Sequence, residues 1–331
     1  MKVLAVADAL IGPEVMASGL ADVPALTTDL TIREWHHDRL VDLQEDNLAV
    51  EQRGPEAIRI PESIFDDVAD FDVVVTQFCP ISAQVIERAT ALKAIGVLRA
   101  GIENIDVAAA AARHVPVVNA PGRNANAVAE FAVGMILAET RNIARAHAEV
   151  RAGCWDRRFP NISDVRELSG SSVGLVGLGQ IGDIVARLLT AFGAQVSYYD
   201  PFVDTDLYPR FADVGDLAAA VDILSLHARL TDATRHIVSA DVIARMRPHS
   251  VLVNTARSGL VDEAALVSAL LDHSIMGAAV DTFDIEPLPP DSPFLTMDNV
   301  TVTSHLAGTT SDAIRRTPRI LAARLAEVLG G

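Results

Sequence analysis

The sequence predicts an α/β protein built on parallel sheets, and three observations carry that prediction. Short apolar runs of strand length recur along the chain, separated by segments with helical spacing. One such run passes directly into Gly177, Gly179 and Gly182 at the start of a helix. The length, 331 residues, is long for one domain and comfortable for two.

Taken in order, KVLAVA at Lys2–Ala7 reads as the first strand, followed by a turn at Gly12-Pro13. Segment 26–60 is charged with a weak helical rhythm and reads as loops and a surface helix. Strands are predicted at 71–76, 92–98 and 116–119, with a helix at 82–89, so a small α/β unit ends near residue 120. Residues 124–146 read as one long helix whose apolar side chains face nearly every direction. Such a helix must be buried, and a subunit interface is the expected cover because a protein of this size has limited core to offer every face.

The next stretch has the clearest internal logic. SVGLV at Ser172–Val176 suits a buried parallel strand. The glycines follow, then apolar residues Ile181, Ile184, Val185, Leu188, Leu189 and Phe192 form one helical face, which Gly193 is placed to end. Gln195–Tyr199 is a second strand, closing on Asp200. Further strands are predicted at 221–226, Val251–Asn254, Gly277–Val280 and 299–303, with helices at 240–246 and Glu263–Leu271. Six parallel strands in two halves make a doubly wound sheet, whose ligands sit at the carboxyl ends of the strands. The loops starting at His227, Thr255, Asp281 and Ser304 all leave such ends and are expected to converge. A last helix at 310–329 is expected to pack back on the first domain.

Bulk properties narrow the function. Half of the residues are apolar and 5% aromatic, and the formal net charge is −17. That charge disfavours nucleic acid, whose phosphates call for clustered Lys and Arg. The first residues lack the pattern of a signal peptide, and the apolar runs are too short to span a membrane, so the cytoplasm is the expected compartment. Cys79 and Cys154 make neither a disulfide framework nor a metal-ligand spacing, and no metal is expected.

The glycines point to a nucleotide. Gly177 permits the tight turn, Gly179 lets a pyrophosphate approach the backbone, and Gly182 lets helix and strand pack closely. The helix N-terminus attracts phosphate through its unpaired N–H groups. Asp200 can accept hydrogen bonds from both adenosine ribose hydroxyls and would repel a 2′-phosphate, so NAD is expected rather than NADP. Three ionisable groups stand at strand ends beside this turn: Arg257, Glu286 and His305. A guanidinium suits a planar carboxylate, and an imidazole titrates near neutral pH.

GLGQIG at 177–182, NTARSGLVDE at 254–263, DTFDIEPLP at 281–289, SHLAG at 304–308 and PGRNANAVAEFAVGMILAETRNI at 121–143 together resemble the D-isomer-specific 2-hydroxyacid dehydrogenase family over almost the whole chain. The resemblance implies an NAD-binding Rossmann domain at 122–303 inserted into a smaller, flavodoxin-like substrate domain formed by 1–121 and 304–331. It implies a homodimer through helix 124–146, acting on a small 2-hydroxy or 2-oxo acid. Arg257 would hold the substrate, His305 would be the general acid/base and Glu286 its partner. Gly177, Gly179, Gln180, Ile181, Gly182, Asp200, His227, Ala228, Thr255, Ala256 and Asp281 would bind the cofactor, Asp281 at the nicotinamide amide. Arg99, Ala100 and Gly101 would join Arg257 and His305 around the substrate.

Two departures stand out. The Arg99 loop is two residues shorter than the R-x-G-x-G-x-D-N of many members, and Arg229 stands where members often have proline. Glu286 argues against formate dehydrogenase activity, because those relatives carry glutamine there. A second reading keeps the fold as an NAD(H)-sensing regulatory or corepressor-like binding protein.

Overall fold

The computed structural model describes residues 1–155, 157–159 and 161–330. The chain divides into two compact units, Met1–Asn124 with Thr309–Gly331, and Ala125–Gly308. The crossings thus follow Asn124 and Gly308, slightly beyond the expected 121 and 303, and His305 falls within the second unit.

The first unit runs β1 (Lys2–Ala7), α1 (Pro13–Leu20), α2 (Pro24–Thr27), β2 (Asp29–Glu34), α3 (Leu40–Arg53), β3 (Val73–Thr76), α4 (Ala83–Arg88), β4 (Ala94–Val97), α5 (Val107–Ala112) and β5 (Val117–Asn119). Its five strands are parallel in the order β2-β1-β3-β4-β5, the flavodoxin-like arrangement. Both faces of β1 are apolar because both are covered. Val3, Ala5 and Ala7 pack with Met16 and Leu20 of α1, whereas Leu4 and Val6 join Leu43 of α3 and Ile86 of α4. The strand β2 lay within the segment read as loops and a helix. It is an edge strand with no buried residue, so its sequence, DLTIRE, lacks an apolar run.

The second unit opens on α6 (Ala125–Thr140) and α7 (Ile143–Arg151). The single helix expected over 124–146 is therefore two, divided at Asn142, which adopts a left-handed conformation with φ +56°. Asparagine tolerates that geometry better than most residues. The Arg145 guanidinium, one turn on, bonds both Glu139 carboxylate oxygens at 2.7 and 2.8 Å, and Thr301 Oγ1 donates to the same carboxylate at 2.7 Å. The apolar faces of α6 are covered within the unit: Ala129, Ala132, Val133, Met135 and Ile136 pack with Val173, Leu175, Val185 and Leu189. The surrounding sheet and its neighbouring helix thus supply the cover that had been assigned to a partner subunit.

The unit continues with β6 (Ser172–Val176), α8 (Gln180–Ala191), β7 (Gln195–Tyr199), α9 (Val214–Ala220), β8 (Ile223–Leu226), α10 (Ala240–Arg245), β9 (Val251–Asn254), α11 (Glu263–Leu271), β10 (Gly277–Val280) and β11 (Val300–Val302). All six strands are parallel, in the order β11-β10-β9-β8-β6-β7. From β6 the chain moves outward to β7 and then returns to the other side of β6 for β8. That reversal is the switch point where doubly wound sheets bind ligands. The last helix, α12 (Ser311–Leu329), returns to the first unit, where Leu321, Ala322 and Leu325 complete the core beside β1 and α1. Among the described residues no helix is long and apolar enough to cross a membrane.

Candidate active site

The switch point is shaped by three glycines with three different constraints. Gly177, with φ +96°, donates its N–H to Tyr199 O at 2.8 Å, and a Cβ there would come within 2.7 Å of Ala228 N. A Cβ on Gly182 would overlap the Gly177 carbonyl oxygen, so turn and helix are in close contact. Gly179 is the opposite case. It is exposed, nothing stands within 4 Å of where its Cβ would be, and as N-cap of α8 it makes no side-chain capping bond. Open space over an uncapped helix start, with Gln180 and Ile181 in the first turn, fits a pyrophosphate.

Asp200, just past β7, is buried and already engaged. Its Oδ2 accepts from Leu178 N at 2.9 Å, and its Oδ1 accepts from Phe202 N at 2.8 Å and Val203 N at 3.1 Å. These bonds tie the glycine turn to the exit of β7. They leave a lone pair on Oδ2 as an acceptor beside the glycine turn.

At the next strand end, His227 N donates to Val176 O at 2.8 Å, and its Nε2 lies 3.0 Å from Ser225 Oγ. Burial pushes the imidazole down to about 4, so it is neutral near pH 7. Its buried Nδ1 has no hydrogen-bond partner among the described residues. Arg229 is exposed, and its carbonyl accepts from Thr234 Oγ1 at 2.6 Å.

The loop after β9 is organised by Asn254, a residue not singled out from the sequence. Its Oδ1 accepts from Ala256 N at 3.0 Å, and its Nδ2 donates to Arg257 O at 2.8 Å. The turn it closes leaves Thr255 buried and Arg257 exposed, with the guanidinium donating to Ala256 O at 2.8 Å. Among the described residues Arg257 pairs with no carboxylate. Its charge is therefore available to an anion.

Two loops bring the acid–base pair together. After β10, Glu286 Oε1 accepts from Phe283 N at 2.9 Å, which turns the side chain back over its own loop. Its Oε2 lies 2.8 Å from Nδ1 of His305. After β11, His305 has φ +56°, an unusual backbone for a residue with a side chain. Asp281 holds that conformation: its Oδ1 accepts from Thr303 Oγ1 at 2.6 Å and Leu306 N at 2.9 Å, and its Oδ2 accepts from Ala307 N at 2.9 Å. The carboxylate expected to meet a nicotinamide amide is thus fully buried and fastened around the histidine. No regular side-chain spacing announces this clamp, because the donors are mostly backbone.

Burial alone would lower the His305 pKa. The Glu286 hydrogen bond and charge, with help from Asp281, outweigh burial and the opposing Arg257 charge, and the net direction is upward. With Nδ1 committed to Glu286, Nε2 is the atom that can pass a proton.

The remaining predicted residues lie in the first unit. Arg99 is 5% exposed, and its guanidinium bonds Asn47 Oδ1 at 2.7 Å and Glu51 in α3, with Glu103 3.7 Å away and the Phe78 ring beneath. Its guanidinium, expected beside the substrate, is engaged within the first unit. Ala100 O accepts from Asn119 Nδ2 at 2.5 Å, and the Glu103 carboxylate folds over Gly101. Among the described residues no cluster of His, Cys, Asp or Glu is arranged to hold a metal.

Residues 133–307, more than half of the chain, match the family described as D-isomer specific 2-hydroxyacid dehydrogenase, NAD binding domain. The chain is 39% identical over 277 residues to D-3-phosphoglycerate dehydrogenase of Methanocaldococcus jannaschii, covering 82% of this chain and 52% of that protein. It is 38% identical over 277 residues to glyoxylate reductase of Thermofilum pendens, covering 82% of each. The chain therefore spans about half the length of the phosphoglycerate dehydrogenase and most of the glyoxylate reductase. Among solved structures, a Thermus thermophilus protein aligns with TM-score 0.80 at 27% identity, covering 99% of this chain and 97% of that one. The NADPH-dependent glyoxylate/hydroxypyruvate reductase of Sinorhizobium meliloti, solved with NADP and malonate, aligns with TM-score 0.75 at 27% identity, covering 98% and 92%.

Proposed function

We propose, from the premise that the chain belongs to the D-isomer-specific 2-hydroxyacid dehydrogenase family, that it interconverts a D-2-hydroxy acid and its 2-oxo acid with NAD as cofactor. The observation that carries this reading is the 2.8 Å bond between His305 Nδ1 and Glu286, on the same sheet as the glycine turn and near Arg257, which pairs with no carboxylate among the described residues. The relatives named above are enzymes, and a nucleotide-sensing regulator is not the reading they favour.

When bound, the dinucleotide supplies or accepts a hydride at the substrate's second carbon. The protein's part is protonic and electrostatic. His305 delivers a proton from Nε2 to the carbonyl oxygen as reduction proceeds, and withdraws it in the reverse direction. Glu286 fixes the tautomer and stabilises the imidazolium. Arg257 neutralises the substrate carboxylate and the charge that grows on the oxygen. Reduction needs the protonated ring, so its rate holds at low pH and declines as pH rises through the elevated His305 pKa. Oxidation needs the neutral ring and gains over the same window.

The single acceptor left on Asp200 and its negative charge support NAD over NADP. Main-chain N–H groups of Ala100 and Gly101 are proposed substrate contacts on the family resemblance. We also propose a cytoplasmic homodimer. The face of α7 supports the pairing, since Ile143 and Val150, seven residues apart and on one side, are 55% and 52% exposed. The test is the absorbance of NADH and of NADPH with glyoxylate, hydroxypyruvate, a phosphorylated 2-oxo acid and branched 2-oxo acids. Oxidation of NADH by at least one of them, faster than of NADPH, is expected. Tight NADH binding without turnover on any of them would return the regulatory reading.

A further inference from the structure

The loop that carries Glu286 is fastened at a second point, from outside the acid–base pair. Glu263, the first residue of α11, accepts from Asp284 N through its Oε2 at 2.9 Å. Asp284 N is adjacent to Phe283 N, which Glu286 itself binds. Two glutamates thus grip consecutive amides of one turn, one from within the loop and one from the neighbouring helix.

Helix capping does not account for this contact. The N-cap of α11 is Asp262, whose Oδ1 accepts from Ala265 N at 3.0 Å, so the helix start is already served. An acid in the first turn also interacts well with the helix dipole, but for that purpose it needs no bond to a distant loop. The surroundings oppose a charge here. Burial raises the Glu263 pKa, and the neighbouring charges of Asp284 and Glu286 raise it further, against the Asp284 N–H that favours the carboxylate. A third acid beside two others is hard to explain by electrostatics and easy to explain by geometry.

We propose that Glu263 is a positioning residue for the acid–base pair, gripping the Asp284 amide so that the turn aims the Glu286 carboxylate at Nδ1 of His305. The proposal rests on reading His305 as the proton donor, although the grip itself can be tested without substrate. The charged groups bearing on His305 are Glu286, Asp281 and Arg257, and those bearing on Glu263 are Asp284 and Glu286. Glu263 therefore acts on His305 through where it places Glu286.

The experiment follows the His305 ring by NMR against pH, in the full chain carrying isotopically labelled histidine, with the signal assigned by its loss in His305→Ala. In Glu263→Ala the His305 pKa should fall toward its ordinary value, and turnover should drop by roughly ten- to a hundredfold with NADH affinity unchanged. Glu263→Gln keeps an oxygen to accept from Asp284 and should restore both. A His305 titration unmoved in Glu263→Ala, while Glu286→Gln does move it, would overturn the proposal. So would a folded Glu263→Gln that behaves like the alanine variant. Near-normal turnover in Glu286→Gln and His305→Ala would instead defeat the proton-donor reading, and the titration would still decide the grip.

Discussion

Two arginines follow buried strands at the carboxyl ends of the two sheets, and their surroundings give them opposite fates. Arg99 lies two residues past the end of β4 and is buried against Glu51, Asn47 and Phe78. Arg257 lies three residues past the end of β9 and stands exposed, its guanidinium bonded to the neighbouring Ala256 carbonyl. Sequence context treats them alike, as cations leaving an apolar strand toward a ligand. What separates them is the partner helix: α3 lays Asn47 and Glu51 across the exit of β4, whereas the turn after β9 is closed by Asn254, which makes no demand on the guanidinium. A charge that finds its counterion in the fold belongs to stability, and one that does not is available for chemistry.

This contrast predicts effects on different observables. For Arg257→Ala we expect kcat/KM to fall by about 10²–10³-fold, the loss seen when one donor to a developing oxyanion is removed, with an unchanged melting temperature. For Arg99→Ala we expect the reverse. Removing the buried guanidinium from its contact with Glu51, at 18% side-chain exposure, should destabilise the folded state by about 3 kcal/mol, read from chemical denaturation. The contrast would break if Arg99→Ala left stability intact, or if Arg257→Ala melted early while turning over normally.

Legibility in the sequence followed the same division. The second unit was readable because its central strands are buried on both faces and so appear as short, largely apolar runs. Val251–Asn254 and Gly277–Val280 fall where those runs lie. The strand β2 was hidden because an edge strand paired on one side carries mixed residues. The break at Asn142 was hidden because neither Gly nor Pro marks it in the sequence, and backbone geometry alone divides α6 from α7. Within the site, residue types at strand ends pointed to Arg257, Glu286 and His305. The supporting carboxylates were harder to read. Asp281 and Glu263 act mainly on main-chain N–H groups, whose positions depend on the folded loops and leave no pattern in side-chain spacing.

The proton donor is the claim on which the rest depends, and it is open to direct measurement. NADH fluorescence can follow binding in His305→Ala, and a single turnover with an excess of the best 2-oxo acid can follow chemistry in the same sample. We expect NADH to bind as it does to the unaltered protein and the turnover rate to fall by roughly two to four orders of magnitude. A variant that binds NADH and reduces the acid at a near-normal rate would contradict the account.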